Sequence, residues 1–369
     1  WSLRGFSMFS VIEKSSGLWV GRLGPWCPEG WPGTEVGWGL MRSAWGKGYA
    51  AEGSRAALDN VLGGAVGRAL AAGDMRGNAA DELMLYGGDA GPKRVLLLGV
   101  GKTADLTLEV VRRMAARAVR AAEKLRLESL SVSLDGLPGL ADTARAQAAA
   151  EGAALAAWRF RELKAPSEDE PVVDVRSVDL LGKGQTAALE SGAMTGAIIA
   201  RAANLARTLQ SRPGNIATPT PLAEEAARVA GGVGLEITIF DEARMREEGM
   251  HAILAVSQGS DEEARFIVLE HRGGAKRAPP LVLVGKGLSF DAGGISIKPA
   301  EGMEHMKFDM SGGAAVIAAM QAVAELGVAA NVVGLIPSSE NLLSGRALKP
   351  GDVIQTLGGK TVEVINTDA

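Results

Sequence analysis

Val284-Gly-Lys-Gly-Leu-Ser-Phe-Asp-Ala-Gly-Gly-Ile-Ser-Ile-Lys-Pro299 is the stretch on which the reading of this chain turns. It opens at the end of Leu281-Val-Leu-Val284, an apolar run with the character of a buried strand. In α/β sheets, function gathers beyond the carboxyl ends of strands, and Lys286 and Asp291 stand there. Gly285, Gly287, Gly293 and Gly294 flank them and let the backbone approach a ligand. Lys298 follows in a local frame stiffened by Pro299.

Working outward, Met306-Lys-Phe-Asp-Met-Ser-Gly-Gly313 places Asp309 directly before a helix expected over 312–326. Near the other end, a strand over 361–365 runs into Asn366-Thr-Asp368. Asp291, Asp309 and Asp368 therefore all fall at element ends and could face one crevice. Three carboxylates in one pocket repel unless a proton or cations intervene. A pair of divalent ions resolves the repulsion and brings hydrolytic chemistry with it. Taken singly, each aspartate is equally well read as a cap or turn residue. The set, with two lysines interleaved, favours the metal reading. Only His251, His271 and His305 are available, no HExxH pair exists, and Cys27 stands alone, so the ligands must be mostly oxygen. That suits Mn2+, Mg2+ or Zn2+.

These signatures, 284–299, Met306-Lys-Phe-Asp-Met310 and Asn366-Thr-Asp-Ala369, resemble in order and interval those of the M17 family of leucyl aminopeptidases. Arg207-Thr-Leu209, Pro213-Gly-Asn215, Pro221-Leu-Ala223 and Phe266-Ile-Val-Leu269 extend the resemblance upstream. It implies an α/β fold: a small N-terminal α/β domain joined by a long helix to an α/β/α metallopeptidase catalytic domain. It implies release of N-terminal amino acids, leucine and similar, from peptide substrates by two-metal hydrolysis. Position by position, Lys286, Asp291 and Asp309 match ligands of the tighter metal site, with Asp291 bridging to the second ion and Asp368 a ligand there. Lys298 matches the catalytic lysine. To ligate, the Lys286 amine must give up its proton, which an adjacent dication makes possible. Lys298 keeps its charge and stabilises the oxyanion. The substrate α-amine would bind a metal ion, explaining cleavage from the amino end. Met303 and Met306 would line an apolar pocket for the first side chain, or serve as ordinary core.

The implied cofactors are two divalent ions, Mn2+ or Zn2+ with Mg2+ as a further option, and a bicarbonate. The family motif continues past Asn-Thr-Asp-Ala with a Glu that bridges the metals, then Gly and the Arg that holds bicarbonate. The expectation is that the catalytic domain is incomplete, truncated at Ala369, and that the polypeptide as given is inactive or weak. The resemblance further implies a homohexamer and a cytoplasmic location.

The rest of the chain divides by composition. Trp1, Trp19, Trp26, Trp31, Trp38 and Trp45 leave only Trp158 for the remainder, which places a boundary near residue 62. Strands are expected over 9–12, 17–21 and 35–38, then a turn Trp45-Gly-Lys-Gly-Tyr-Ala-Ala-Glu52 opening an Ala-rich helix to Leu62. A glycine-flanked turn at a helix start suits a phosphate. The run resembles the acetyl-coenzyme A loop of GNAT-type N-acetyltransferases, over a stretch too short to close a core. It reads as a GNAT-like β/α fragment, a fusion remnant. The domains are therefore 1–62 (GNAT-like), 63–185 (small α/β), 186–215 (connecting helix and turn) and 216–369 (catalytic). Within 63–185, strands are expected over 93–99 and 127–134 and helices over 106–124 and 140–159. Gly99-Val-Gly-Lys-Thr103 imitates a phosphate loop, but the glycine the motif needs five places before Gly101 is Leu96.

A net charge of -4 gives no pull toward nucleic acid or an anionic membrane, and no run of ~18 apolar residues proposes a span. One cysteine excludes a disulfide scaffold and a cysteine zinc site. Two competing readings remain: an acyl-CoA N-acetyltransferase remnant resting on 9–62, and a non-catalytic oligomeric or binding module.

Overall fold

A computed structural model of the 369-residue chain describes residues 9–26, 35–44, 59, 62–87, 92–164 and 173–369. The chain forms two compact units, residues 1–157 with 172–193, and residues 158–171 with 194–369.

In the first unit, β1 (Phe9–Ile12), β2 (Trp19–Trp26) and β3 (Glu35–Leu40) form an antiparallel sheet in that order. These are the three strands expected from alternation, the second and third running longer. The expected Trp45–Glu52 turn lies outside the described residues, as does most of the helix after it. Beyond α1 (Ala65–Ala72), β4 (Glu82–Tyr86) pairs antiparallel with β5 (Arg94–Leu98). Only β5 was expected, as a buried strand. It is half-buried, because a two-stranded ribbon covers little of either face. β4 escaped notice because Leu83-Met-Leu85 is unbroken by the alternation that marks a strand. The phosphate-loop lookalike leads into a single 3-10 turn, Thr103–Asp105, and the Gly99 carbonyl accepts from Arg117 Nη1 at 2.9 Å.

Helix α2 (Leu108–Lys124) starts at Thr107, whose side chain accepts from the Val110 amide. It packs on α3 (Asp142–Ala157) through small residues, Val111, Ala115 and Val119 against Ala146, Ala149 and Ala153. β6 (Ser129–Ser133) runs parallel to β7 (Ser177–Leu181). Helix α4 (Thr186–Ser211) is the long helix expected there and gives residues to both units.

The second unit is built on a mixed sheet. Its elements are α5 (Pro219–Val233), β8 (Glu236–Phe240), α6 (Glu242–Glu247), α7 (His251–Ser257), β9 (Arg265–Arg272), β10 (Leu281–Val284), β11 (Gly287–Asp291), α8 (Ser311–Glu325) and β12 (Asn331–Asn341). The order is β10-β12-β9-β8, with β11 pairing β12 beyond β10. β10 and β11 both run parallel to β12, while β9 is antiparallel to β12 and to β8. Leu222, Ala226 and Val229 of α5 and Ala314, Ile317 and Met320 of α8 bury one face with Ile267, Leu269, Val332 and Ile336. Strands β13 (Val353–Gln355) and β14 (Thr361–Glu363) form the expected hairpin.

Three expectations need correcting. β10 is not buried: it pairs on one side only, and Leu281 and Val284 are 62% and 69% exposed. The strand expected to end at Val284 is followed at once by a second, Gly287–Asp291, so Asp291 stands at the end of that strand rather than of the first. The apolar run 331–336 reads in sequence as a strand ending at Ile336, but the strand continues to Asn341, because Ser338, Ser339, Glu340 and Asn341 are buried polar residues that pair with β11.

Candidate metal centre

The site is assembled where β11 and β12 end together. Their parallel register sets Asp291 beside Asn341, and the Ala292 amide donates to the Asn341 carbonyl at 2.9 Å. Asp291 is 1% exposed. Its Oδ1 accepts from the Gly293 amide at 2.9 Å and from Asn341 Nδ2 at 2.8 Å. Its Oδ2 is buried and no hydrogen-bond donor is aligned with it, although Lys298 Nζ lies 3.2 Å away.

Gly293 and Gly294, with φ of +90° and +65°, turn the chain back so that the Lys298 amide donates to the Ala292 carbonyl at 2.9 Å. A side chain would strain either position, which is why this loop is written Gly-Gly. The turn aims Lys298 at both Asp291 and Asp368, and its ammonium pairs with each. Asp368 is held there by a brace between two loops. Ser296 N–H donates to Thr367 Oγ1 at 2.8 Å, Thr367 Oγ1 donates to the Gly293 carbonyl at 2.7 Å, and Asn341 Nδ2 donates to the Thr367 carbonyl at 2.8 Å.

Lys286 projects from the link between β10 and β11. Its Nζ is 2.9 Å from Asp309 Oδ2 and donates to the main-chain oxygen of Ala369. Asp309 ends the 3-10 turn Met303–Phe308, just before α8. Met303 and Met306 lie half-buried on that same turn.

The electrostatics are those of carboxylates that lean on lysines. Burial, foremost, pushes the Asp291 carboxyl above the usual aspartate value, and sharing with Asp368 adds to the shift. The hydrogen bond from Lys298 holds Asp368 below its usual value, and the Lys286 charge contributes. Lys298 is raised in turn, chiefly by Asp368. The five charged residues singled out from the sequence thus fall into linked groups, Asp291–Lys298–Asp368 and Lys286–Asp309. Among the described residues, no group of three or more His, Cys, Asp or Glu side chains forms a ready metal cage. Two ammonium groups occupy the spaces between the three carboxylates instead. The fit to a cation rests on Asp291: its buried Oδ2 faces the Lys298 ammonium at 3.2 Å, so this pocket is built to set positive charge against a buried carboxylate.

Asn341, Thr367 and Ser296 were not singled out from the sequence. The signal available for Asn341 was Ser338-Ser-Glu-Asn341, four polar residues directly continuing an apolar strand. Such a run reads as loop until the neighbouring strand is known.

Comparison with known proteins bears on this arrangement. Residues 204–369 match the model of the cytosol aminopeptidase family catalytic domain, and residues 45–167 match that family's N-terminal domain. Residues 1–74 match an acetyltransferase (GNAT) domain. A probable cytosol aminopeptidase of Bdellovibrio bacteriovorus is 44% identical over 284 residues, which covers 76% of this chain and 56% of that protein. One of Syntrophotalea carbinolica is 40% identical over 316 residues, covering 85% and 64% respectively. Among solved structures, the bottromycin maturation enzyme BotP in complex with Mn superposes with a TM-score of 0.71 at 32% identity, over 82% of this chain and 62% of that one. A mutant of tomato leucine aminopeptidase superposes with a TM-score of 0.72 at 30% identity, over 85% and 60%. The chain spans less than two thirds of the length of each of these relatives.

Proposed function

Because the chain belongs to the cytosol aminopeptidase family, we propose that it serves as a metal-dependent aminopeptidase that removes leucine and similar residues from the amino ends of peptides. The observation that carries this is the buried Asp291, whose Oδ2 has no aligned donor and whose neighbours are Lys298, Asp368 and the Lys286–Asp309 pair.

In this reading Lys286, Asp291, Asp309 and Asp368 hold two divalent ions, Mn2+ or Zn2+, with Mg2+ as a further option. When bound, the ions supply positive charge that polarises the peptide carbonyl and lowers the pKa of a water. The remaining work belongs to the chain. Asp291 offers Oδ2 while its Oδ1 stays occupied by Gly293 and Asn341. Lys286, paired here with Asp309, would hold an ion only as the neutral amine. Lys298 sits between Asp291 and Asp368. Its ammonium, fixed by the Gly293–Gly294 turn, becomes available to the oxygen that gains charge as the peptide carbon turns tetrahedral. Met303 and Met306, on the turn that delivers Asp309, line the pocket for the first side chain. The same reading gives the protein peptide substrates, a homohexameric assembly and a cytoplasmic place of action. No helix among the described residues is long and apolar enough to cross a membrane.

The test is chelator treatment followed by add-back. Whatever hydrolysis of leucine p-nitroanilide the chain supports, weak or full, should vanish in chelator and return with Mn2+, while N-acetyl-leucine p-nitroanilide stays intact because its α-amine is blocked. Undiminished hydrolysis in chelator, or equal cleavage of the acetylated substrate, would overturn the proposal.

A further inference from the structure

We propose that Asn341 is a positioning residue: its side-chain amide locks Asp291 to the Thr367–Asp368 segment, so that ligands from two distant parts of the chain face one cation. The inference rests on the aminopeptidase reading above and extends it to a residue outside the ligand set.

The geometry is specific. Asn341 Nδ2 has two hydrogens, and they serve two acceptors at 2.8 Å each, Asp291 Oδ1 and the Thr367 carbonyl. Neither partner can donate when Asp291 is ionised, so the amide can face them only with its nitrogen. The amide is anchored from behind. Asn341 is the last residue of β12, in register with Asp291, and is 4% exposed. With the Gly293 amide also on Oδ1, that oxygen has two donors, and Oδ2 is the oxygen left toward Lys298 and Asp368. Removing the Asn341 donor removes one of the two donors that fix the Asp291 carboxylate and breaks the side-chain link between Asp291 and the Thr367 main chain. The Ser296–Thr367 hydroxyl link does not replace it, because it joins the Lys298 loop to Thr367 without touching the Asp291 side chain.

Asn341→Asp keeps the shape but sets a carboxylate oxygen against two acceptors. Asn341→Ser withdraws both donations without adding charge, and decides the matter if the aspartate variant does not fold. Ser338→Ala is the control: it deletes a buried hydrogen bond in the same strand, Ser338 Oγ to the Gly287 carbonyl at 2.9 Å, and leaves both acceptors of the Asn341 amide in place. The measurement is calorimetric titration of Mn2+ into each chelator-treated full chain, with thermal melting of the metal-free proteins alongside. Residues that orient metal ligands typically change affinity by about 10–100-fold, so both Asn341 variants should weaken Mn2+ binding by that factor while Ser338→Ala stays within about threefold. Unchanged Mn2+ affinity in the Asn341 variants, or an equal loss in Ser338→Ala, overturns the positioning role and leaves the aminopeptidase reading standing. Failure of the parent chain to bind Mn2+ at all overturns both.

Discussion

Gly293→Ala tests how the turn after β11 delivers Lys298. At φ +90°, a residue with a Cβ pays about 1–2 kcal/mol for left-handed backbone. The new methyl would sit 2.5 Å from the Ser296 carbonyl oxygen, 3.0 Å from Lys298 N and 3.2 Å from Lys298 Cγ. Forcing a methyl into a full space costs a further ~1–3 kcal/mol. Together these give about 2–5 kcal/mol, less than the roughly 5–15 kcal/mol of a typical native domain, so the variant should still fold. Relief of the contact to an ordinary 3.4 Å needs a shift of about 3.4 − 2.5 = 0.9 Å, borne by the loop that carries Lys298. Misplacement on the order of 1 Å can cost about 100-fold in rate. Urea unfolding reads the first quantity, and turnover of leucine p-nitroanilide with Mn2+ reads the second. Stability within about 1 kcal/mol of the parent and a rate within about threefold would refute the reasoning, since the strain and the displacement both follow from the same backbone angle.

The remaining predictions use other features. Gly231→Ala, in the exposed interior of α5 with nothing within 4 Å of the new Cβ, should stabilise the protein by roughly 0.5–1 kcal/mol in the same urea assay; a loss would contradict the helix assignment. Lys298→Gln should lower turnover by about 100–1000-fold while leaving Mn2+ affinity unchanged or tighter, because it removes both the oxyanion partner and the cation that competes for Asp291 and Asp368. A parallel fall in Mn2+ affinity would assign Lys298 to metal binding instead. Glu340 is held above the usual 4.5, chiefly by burial, with the Ser260 hydroxyl pulling the other way. The folded state then grips that proton more tightly than the unfolded chain does. Its contribution to stability is complete below the usual value and is lost as pH rises through the raised one. Glu340→Gln should therefore be more stable than the parent at neutral pH, with the advantage fading toward and below pH 4.5; an advantage that is constant with pH would reject the burial argument.

The candidate site was legible without coordinates because it resides in residue types at fixed intervals. Lys286, Asp291 and Lys298 fall within one glycine-punctuated run, and Asp309 and Asp368 stand at element ends that hydrophobic patterning locates. The long helix α4, the α2 and α3 helices and the final hairpin were legible for the same reason: apolar periodicity and breakers are local properties. Elements whose partners lie far away in sequence were harder to see. β4 and β7 are short strands completed only by pairing with β5 and β6, and β11 exists because β12 runs on past its apolar half to meet it.

By itself, then, the sequence determined which side chains are candidates for the site and roughly where each stands along an element, since composition and spacing are carried by the chain. Only the tertiary structure decided that Lys298 reaches both Asp291 and Asp368, that Lys286 reaches Asp309, and that one amide on Asn341 ties Asp291 to Thr367. Those contacts join residues far apart in the chain. Whether such groups meet depends on strand register and loop direction, which no local pattern encodes.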